Sequence, residues 1–352
     1  MFRLNCKRGS PLRHLSPYAT IALLLTMAGC SGAAGNSATS SVPSPSTAKS
    51  NTQISGMVLG YAWDTVAQSL RPIQGLPGAA YLGSPIYSGY TSGIASARAG
   101  YALLTGTAGD ISLALLPTGQ PTALTPVFST HQQIALSPGG AAAVIFAQGM
   151  STALVFTNLP GAPQRQQVPI SMPGTITNVS VSDTGLLLVA AASASGGAAI
   201  SAISADGTVH PVGNVARYGD MRFIASSNDA LIADAGQNTL STAKDVAAGA
   251  SLLQIASATD GVQNPVAVAS SADGRWALVA NQGGTLLRID LTQLEPVGSA
   301  TCPCVPNSLT PLSGNAVFQI IPLGAGPLWL YEGDAATPRA VFVPATTNGN
   351  QG

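Results

Sequence analysis

One pattern recurs six times along this chain, and it restricts the fold more than any other feature. The copies are GIASARAGYALLTG from Gly93, QIALSPGGAAAVIFA from Gln133, NVSVSDTGLLLVAAA from Asn178, RFIASSNDALIADA from Arg222, AVASSADGRWALVAN from Ala267 and LTPLSGNAVFQIIP from Leu309. Each is a short run of small and apolar residues, a turn carrying Gly, Asp or Asn, and a longer apolar run. The turn residues are Gly100, Gly140, Gly185, Asp229, Gly274 and Asn315, separated by 40, 45, 44, 45 and 41 residues. A fixed period of that length marks an architecture built from repeated supersecondary units.

Each copy reads as a β-hairpin: a short first strand, a tight turn whose Gly, Asp or Asn accepts φ > 0, and a buried second strand. A second hairpin follows, most clearly in GTLLRIDLTQLEPVG from Gly284. Four short strands per 40–45 residues is the blade period of a β-propeller. The fold class is therefore all-β, with first strands lining a central channel. Ala135, Ser180, Ala225 and Ala269 are small enough for the crowding there. Upstream, the stretch from Ser55 to Gly78 resembles the second hairpin of a blade without the first. Six full units and one partial unit predict seven blades, with six and eight as the alternatives. The partial unit is expected to close the ring by pairing with the C-terminal strands, which removes exposed edges.

The N-terminus is a processing segment. Arg3, Lys7, Arg8 and Arg13 precede an apolar run from Ala19 to Gly29, too short for a bilayer span of about 20 residues. Met27-Ala28-Gly29-Cys30 resembles a bacterial lipobox, with Met27 where Leu is usual. That resemblance implies cleavage before Cys30 and lipidation of its thiol. It gives a signal peptide over 1–29, a lipidated cysteine and flexible Ser/Ala/Pro-rich tether over 30–52, a propeller over 53–347 and a tail over 348–352. Ser31 after the cysteine favours the outer membrane by resemblance to enterobacterial sorting, and more than one acyl chain gives stable anchoring.

SSADGRWALVANQGGTLLRIDL, Ser270 to Leu291, resembles the WD40-like and YVTN-like propellers of bacterial exported proteins. The resemblance implies the fold and leaves the activity open, since propellers host enzymes, receptors and scaffolds.

Charge narrows the function classes. Only 8% of residues are charged, against about a quarter in an average domain. Basic and acidic residues balance at 14 each, but the signal removes four basic ones, leaving 10 against 14 and a net charge of −4. No basic run downstream of the signal supports nucleic-acid binding. No G-x-S-x-G elbow, H-E-x-x-H or EF-hand loop occurs, so no catalytic residue, metal or cofactor is assigned. His131 and His210 read as loop residues. Asp183, Asp206 and Asp273 stand at turns, where Asx chemistry accounts for them. Cys6 leaves with the signal, so Cys302 and Cys304 remain. In an exported chain they read as a disulfide at the connection between the last two blades, with free thiols and a redox or metal role as alternatives. Tyr81, Tyr87, Tyr90 and Tyr101, with scattered arginines, are a candidate binding face. Together these features indicate a membrane-anchored, non-catalytic scaffold for an unknown protein partner. A lactonase-like propeller hydrolase and a ligand- or carbohydrate-sensing surface lipoprotein are the alternatives.

Overall fold

The computed structural model describes residues 57–126, 128, 132–194 and 196–344. The segments expected to be a signal peptide, lipidated Cys30 and a tether, together with His131 and residues 348–352, lie outside the described residues. Within them the chain forms seven sheets, each of four strand segments, arranged as a seven-bladed β-propeller. Six blades are sequential antiparallel meanders: Ser92–Ser96 to Thr122–Thr125, Gln132–Leu136 to Gln164–Pro169, Thr175–Val181 to Val209–Val215, Tyr218–Phe223 to Leu252–Ala256, Pro265–Ser270 to Glu295–Thr301, and Thr310–Pro311 to Arg339–Val343. They are numbered blades 2 to 7 in chain order. All six turn residues of the repeat fall between the first and second strands of these blades.

Second strands are mostly apolar because both faces pack: Ala143–Ala147 and Ala230–Asp234 are buried at every position, the latter ending in the buried Asp234. The outermost strand of blade 3 is polar, and Gln164–Pro169 buries only Val168. The core lies between blades. Val144 and Val155 of blade 3 pack against Val179 and Val189 of blade 4, and Leu278 of blade 6 against Phe318 of blade 7. Hydrophobic burial thus welds each blade to the next.

Ring closure differs from the expectation. The C-terminal strand Arg339–Val343 pairs with Leu328–Glu332 of its own blade, so blade 7 is complete without borrowed strands. Blade 1 is a separate sheet of Val58–Asp64, Ser69–Gln74, Tyr81–Leu82 and Tyr87–Ser88. Its last two segments both pair along Ser69–Gln74, so the blade is three strands deep among the described residues. Its first strand starts where Ser313 donates to the Leu59 carbonyl and ends where Thr65 donates to the Leu323 carbonyl. Ser313 lies in blade 7's first turn and Leu323 in its second, so Val58–Asp64 runs in the direction of a second strand. Closure combines these bonds and a parallel bridge between Asp64 and Leu323 with side-chain packing of Leu59, Ala62 and Ile73 against Leu312, Val317 and Leu330.

Asp290 ends the third strand of blade 6. Its carboxylate accepts from the Thr292 hydroxyl and amide and the Gln293 amide, and pairs with Arg275 at 3.3 Å. Chiefly through the Thr292 hydroxyl, these bonds hold its pKa down at about 2 against the ordinary 3.8. Because the folded value is the lower one, the stabilisation is present above pH 3.8 and is lost as pH falls toward 2. The urea midpoint of the parent chain should therefore fall between pH 4 and pH 2 more steeply than that of Asp290→Asn. Equal slopes in that window would refute the assignment.

Candidate functional site

The first strands deliver their C-terminal ends to one mouth of the channel. There Ser96, Ala135, Ser180, Arg222, Ala269 and Thr310, one from each of blades 2 to 7, line a cavity of about 130 Å³. Ile94, Ile134, Phe223 and Leu309 supply its apolar walls. Ala135, Ser180 and Ala269 lie where their small size predicts. Ala225 does not: it sits past its strand, with its amide donating to Ser270 Oγ at 2.9 Å. In blade 5 the channel-side residue is Arg222.

The turns around the mouth carry two kinds of work. Gly100, Gly140, Gly185 and Gly274 hold φ between 70° and 89°. Asp229 and Asn315, expected to do the same, do not. Ser226 (φ 58°) and Gly314 (φ 99°) take the left-handed position in those turns instead. The two Asx side chains make bonds that only an acceptor or an amide can make. Asp229 accepts from the Lys244 ammonium and the Asp245 amide, each at 2.8 Å. Asn315 accepts from the Asp273 amide at 2.9 Å and donates to its carboxylate at 3.0 Å, stapling blade 7 to blade 6. Asp183 likewise accepts from the Gly139 amide at 2.9 Å, joining blades 4 and 3. Asp273, also bonded by Ser271 and the Arg275 amide, is held below the ordinary carboxylate range despite the opposing effect of burial, which is the largest single influence.

Two arginines complete the mouth, Arg98 and Arg222. Arg98, in the first turn of blade 2, reaches across the ring. Its Nη1 donates to the Pro138 carbonyl of blade 3 at 3.2 Å and its Nη2 to the Asn315 carbonyl of blade 7 at 3.1 Å. Burial pulls its pKa down, while the carboxylates of Asp334, Asp183 and Asp273 pull it back. Arg222 pairs through Nε with Asp220 Oδ2 at 3.4 Å, and 35% of its side chain stays exposed. Asp220 is the stronger influence on Arg222 and raises its pKa against burial. The same carboxylate accepts from the Val268 amide of blade 6. A signal for this pair was present: Asp220 and Arg222 are two apart on a strand and share a face.

Most of the other candidates disperse. Tyr101 is wholly buried and Tyr81 is exposed, while Tyr87, which donates to the Leu115 and Gly119 carbonyls, and Tyr90 pack against one cluster with Leu70 and Leu104, so two of the four tyrosines share a patch. His210 Nε2 lies 3.2 Å from Ser204 Oγ in a blade 4 hairpin, while neighbouring Asp206 bonds Thr208. That arrangement lacks the carboxylate that orients a catalytic imidazole. Cys302 and Cys304 are joined by a disulfide between the last strand of blade 6 and the first of blade 7, with Cys302 buried beside Phe318. Among the described residues no group of three or more His, Cys, Asp or Glu is placed to hold a metal ion.

No family model matches the chain, and no curated protein does. Solved structures match its shape. A functionally unknown protein from Desulfotomaculum acetoxidans is similar over 82% of this chain and 100% of its own, at 14% identity and TM-score 0.58. The nidogen/laminin complex matches at 16% identity and TM-score 0.47, over 69% of this chain and 92% of that one. Kuenenia stuttgartiensis hydrazine synthase matches at 12% identity and TM-score 0.49, over 84% of this chain and 98% of that one. At such identities the first likeness shows the propeller fold alone.

Proposed function

We propose that the chain is a non-catalytic binding module of a bacterial cell envelope. A lipid on Cys30 anchors it, the 30–52 segment tethers it, the outer membrane is its site, and the propeller presents its faces to a protein partner. The observation that carries this reading is the commitment of the mouth's acidic side chains. Asp183, Asp229 and Asp273 each hold a turn or a neighbouring blade through two or more atoms of the fold or a single inter-blade bond. Carboxylates used this way serve rigidity, and a rigid ring with variable loops is a platform for recognition. The lipobox-like Met27–Cys30 and the Ser/Ala/Pro-rich stretch behind it support the anchored placement.

Crosslinking in native membranes followed by mass spectrometry tests the proposal. Reproducible recovery of one protein partner is the expected result. Recovery of none would remove the scaffold reading, as would purified chain that hydrolyses lactones or esters with stoichiometric calcium.

A further inference from the structure

We propose that the channel mouth binds a small carboxylate, whose oxygens accept from the Nη groups of Arg222 while its short apolar chain lies on Ile94, Ile134 and Leu136. This goes beyond the partner reading, and either can fail without the other.

The lining is one-sided in charge. Arg98 and Arg222 are its only charged side chains, and it contains no Asp or Glu. Its serines add donors. Ser96, Ser137 and Ser270 accept from the amides of Ala99, Ala142 and Ala225. A hydroxyl that accepts still has its own O–H to give, and none of the three gives it to a described residue. Arg222 presents the open edge. Its Nε is taken by Asp220 at 3.4 Å, but its Nη groups bond no described residue and stay accessible, with 35% of the side chain exposed. Two parallel N–H bonds from such an edge match the two oxygens of a carboxylate.

The nearby acids do not reverse this preference. Asp220 is buried outside the lining, and its oxygens are held by the Tyr218 hydroxyl, the Val268 amide and Arg222 itself. Asp183, Asp273 and Asp334 also lie outside the lining, each accepting from a main-chain amide. An oxygen in contact with Arg222 Nη stands nearer that cation than any of these carboxylates, and Coulomb interaction falls with distance. Size limits the chain. A cavity of about 150 Å³ holds benzene, so the cavity of about 130 Å³ here takes about six non-hydrogen atoms. Butyrate has that size, and the partly buried Ile94, Ile134 and Leu136 offer its chain an apolar wall.

Ligand-observed NMR on the full-length chain tests this with butyrate, butyramide and inorganic phosphate at equal ionic strength. Butyrate should bind saturably and best. Butyramide should bind at least about tenfold more weakly, because it lacks the charge that strengthens both bonds. Phosphate should bind more weakly than butyrate because it leaves the apolar wall uncovered. Arg222→Gln should weaken butyrate by about tenfold or more, and by more than it weakens butyramide. Ile134→Phe, which narrows the cavity and leaves every charge in place, should weaken both and serves as the second variant should Arg222→Gln fail to fold. Each of these results would overturn the proposal: no saturable butyrate binding up to about 50 mM, the weak end of ligand efficiency for about six atoms; butyramide or phosphate binding as tightly as butyrate; or unchanged butyrate binding in folded Arg222→Gln or folded Ile134→Phe.

Discussion

Replacing Gly140 by valine should lower the stability of the propeller by about 4 kcal/mol, read as a fall in urea midpoint at unchanged slope. Two costs add. Gly140 sits at φ 80° in the first turn of blade 3. A β-branched residue there pays about 1–2 kcal/mol for the left-handed backbone. The position also abuts blade 2: a Cβ would overlap Ser96 Oγ and come within 2.8 Å of the Ala99 Cβ. Forcing such an overlap in a packed region costs about 1–3 kcal/mol. The two contributions separate experimentally. Combining Gly140→Ala with Ser96→Gly removes the overlap with Ser96 and leaves the approach to Ala99 and the backbone strain, so it should recover part of the alanine variant's loss. Full recovery would show that neither the left-handed conformation nor the Ala99 contact costs anything here, and an unchanged midpoint for Gly140→Val would show that blades 2 and 3 do not meet at this turn.

The same turn illustrates what is legible in the sequence. The period carried by Gly100, Gly140, Gly185 and Gly274 is visible because close approach and positive φ both demand glycine, a residue-level requirement. Seven blades followed from it. Asp229 and Asn315 are aligned correctly with those glycines but for another reason. Asx residues tolerate the left-handed region and also make side-chain bonds, and composition cannot tell which is in use. Ring closure was misread for a related reason. Strand exchange and packing closure leave the same partial unit, and the choice depends on whether the last repeat supplies four strands. Here the two-residue Thr310–Pro311 strand supplies the fourth. The mouth was the least legible part. Arg98 finds its partners 40 and 217 residues away, and both are main-chain carbonyls. Every residue type carries a carbonyl, so nothing in the sequence near Pro138 or Asn315 announces an arginine.

Substitution of Arg98 by methionine should cost about 3 kcal/mol, since each hydrogen bond to a charged group contributes about 1.5–3 kcal/mol and partial exposure of the turn discounts the sum. The stem of the side chain survives in methionine, so the loss isolates the guanidinium from the packing of its methylenes. Arg98 is the contact that ties blade 2 to blade 7 at the mouth, past the three-strand-deep blade 1, and its removal leaves the Pro138 and Asn315 carbonyls without that donor. The carboxylates of Asp183, Asp273 and Asp334 lose a common counter-charge at the same time. Arg98→Lys discriminates between these roles. An ammonium restores the charge but is a point donor on a flexible stem and cannot fork between two carbonyls. If bridging dominates, lysine should recover less than half of the lost midpoint; if the field dominates, it should recover nearly all of it. Amide exchange adds the spatial readout. Asn315 and its neighbour Ala316, whose amide donates to Asp334 at 2.8 Å, should exchange faster in the methionine variant while the buried second strand of blade 4 does not change. Uniformly faster exchange would mean that Arg98 supports the whole ring and not its closure, whereas unchanged exchange at Ala316 together with an unchanged midpoint would remove Arg98 from the account of how this propeller closes.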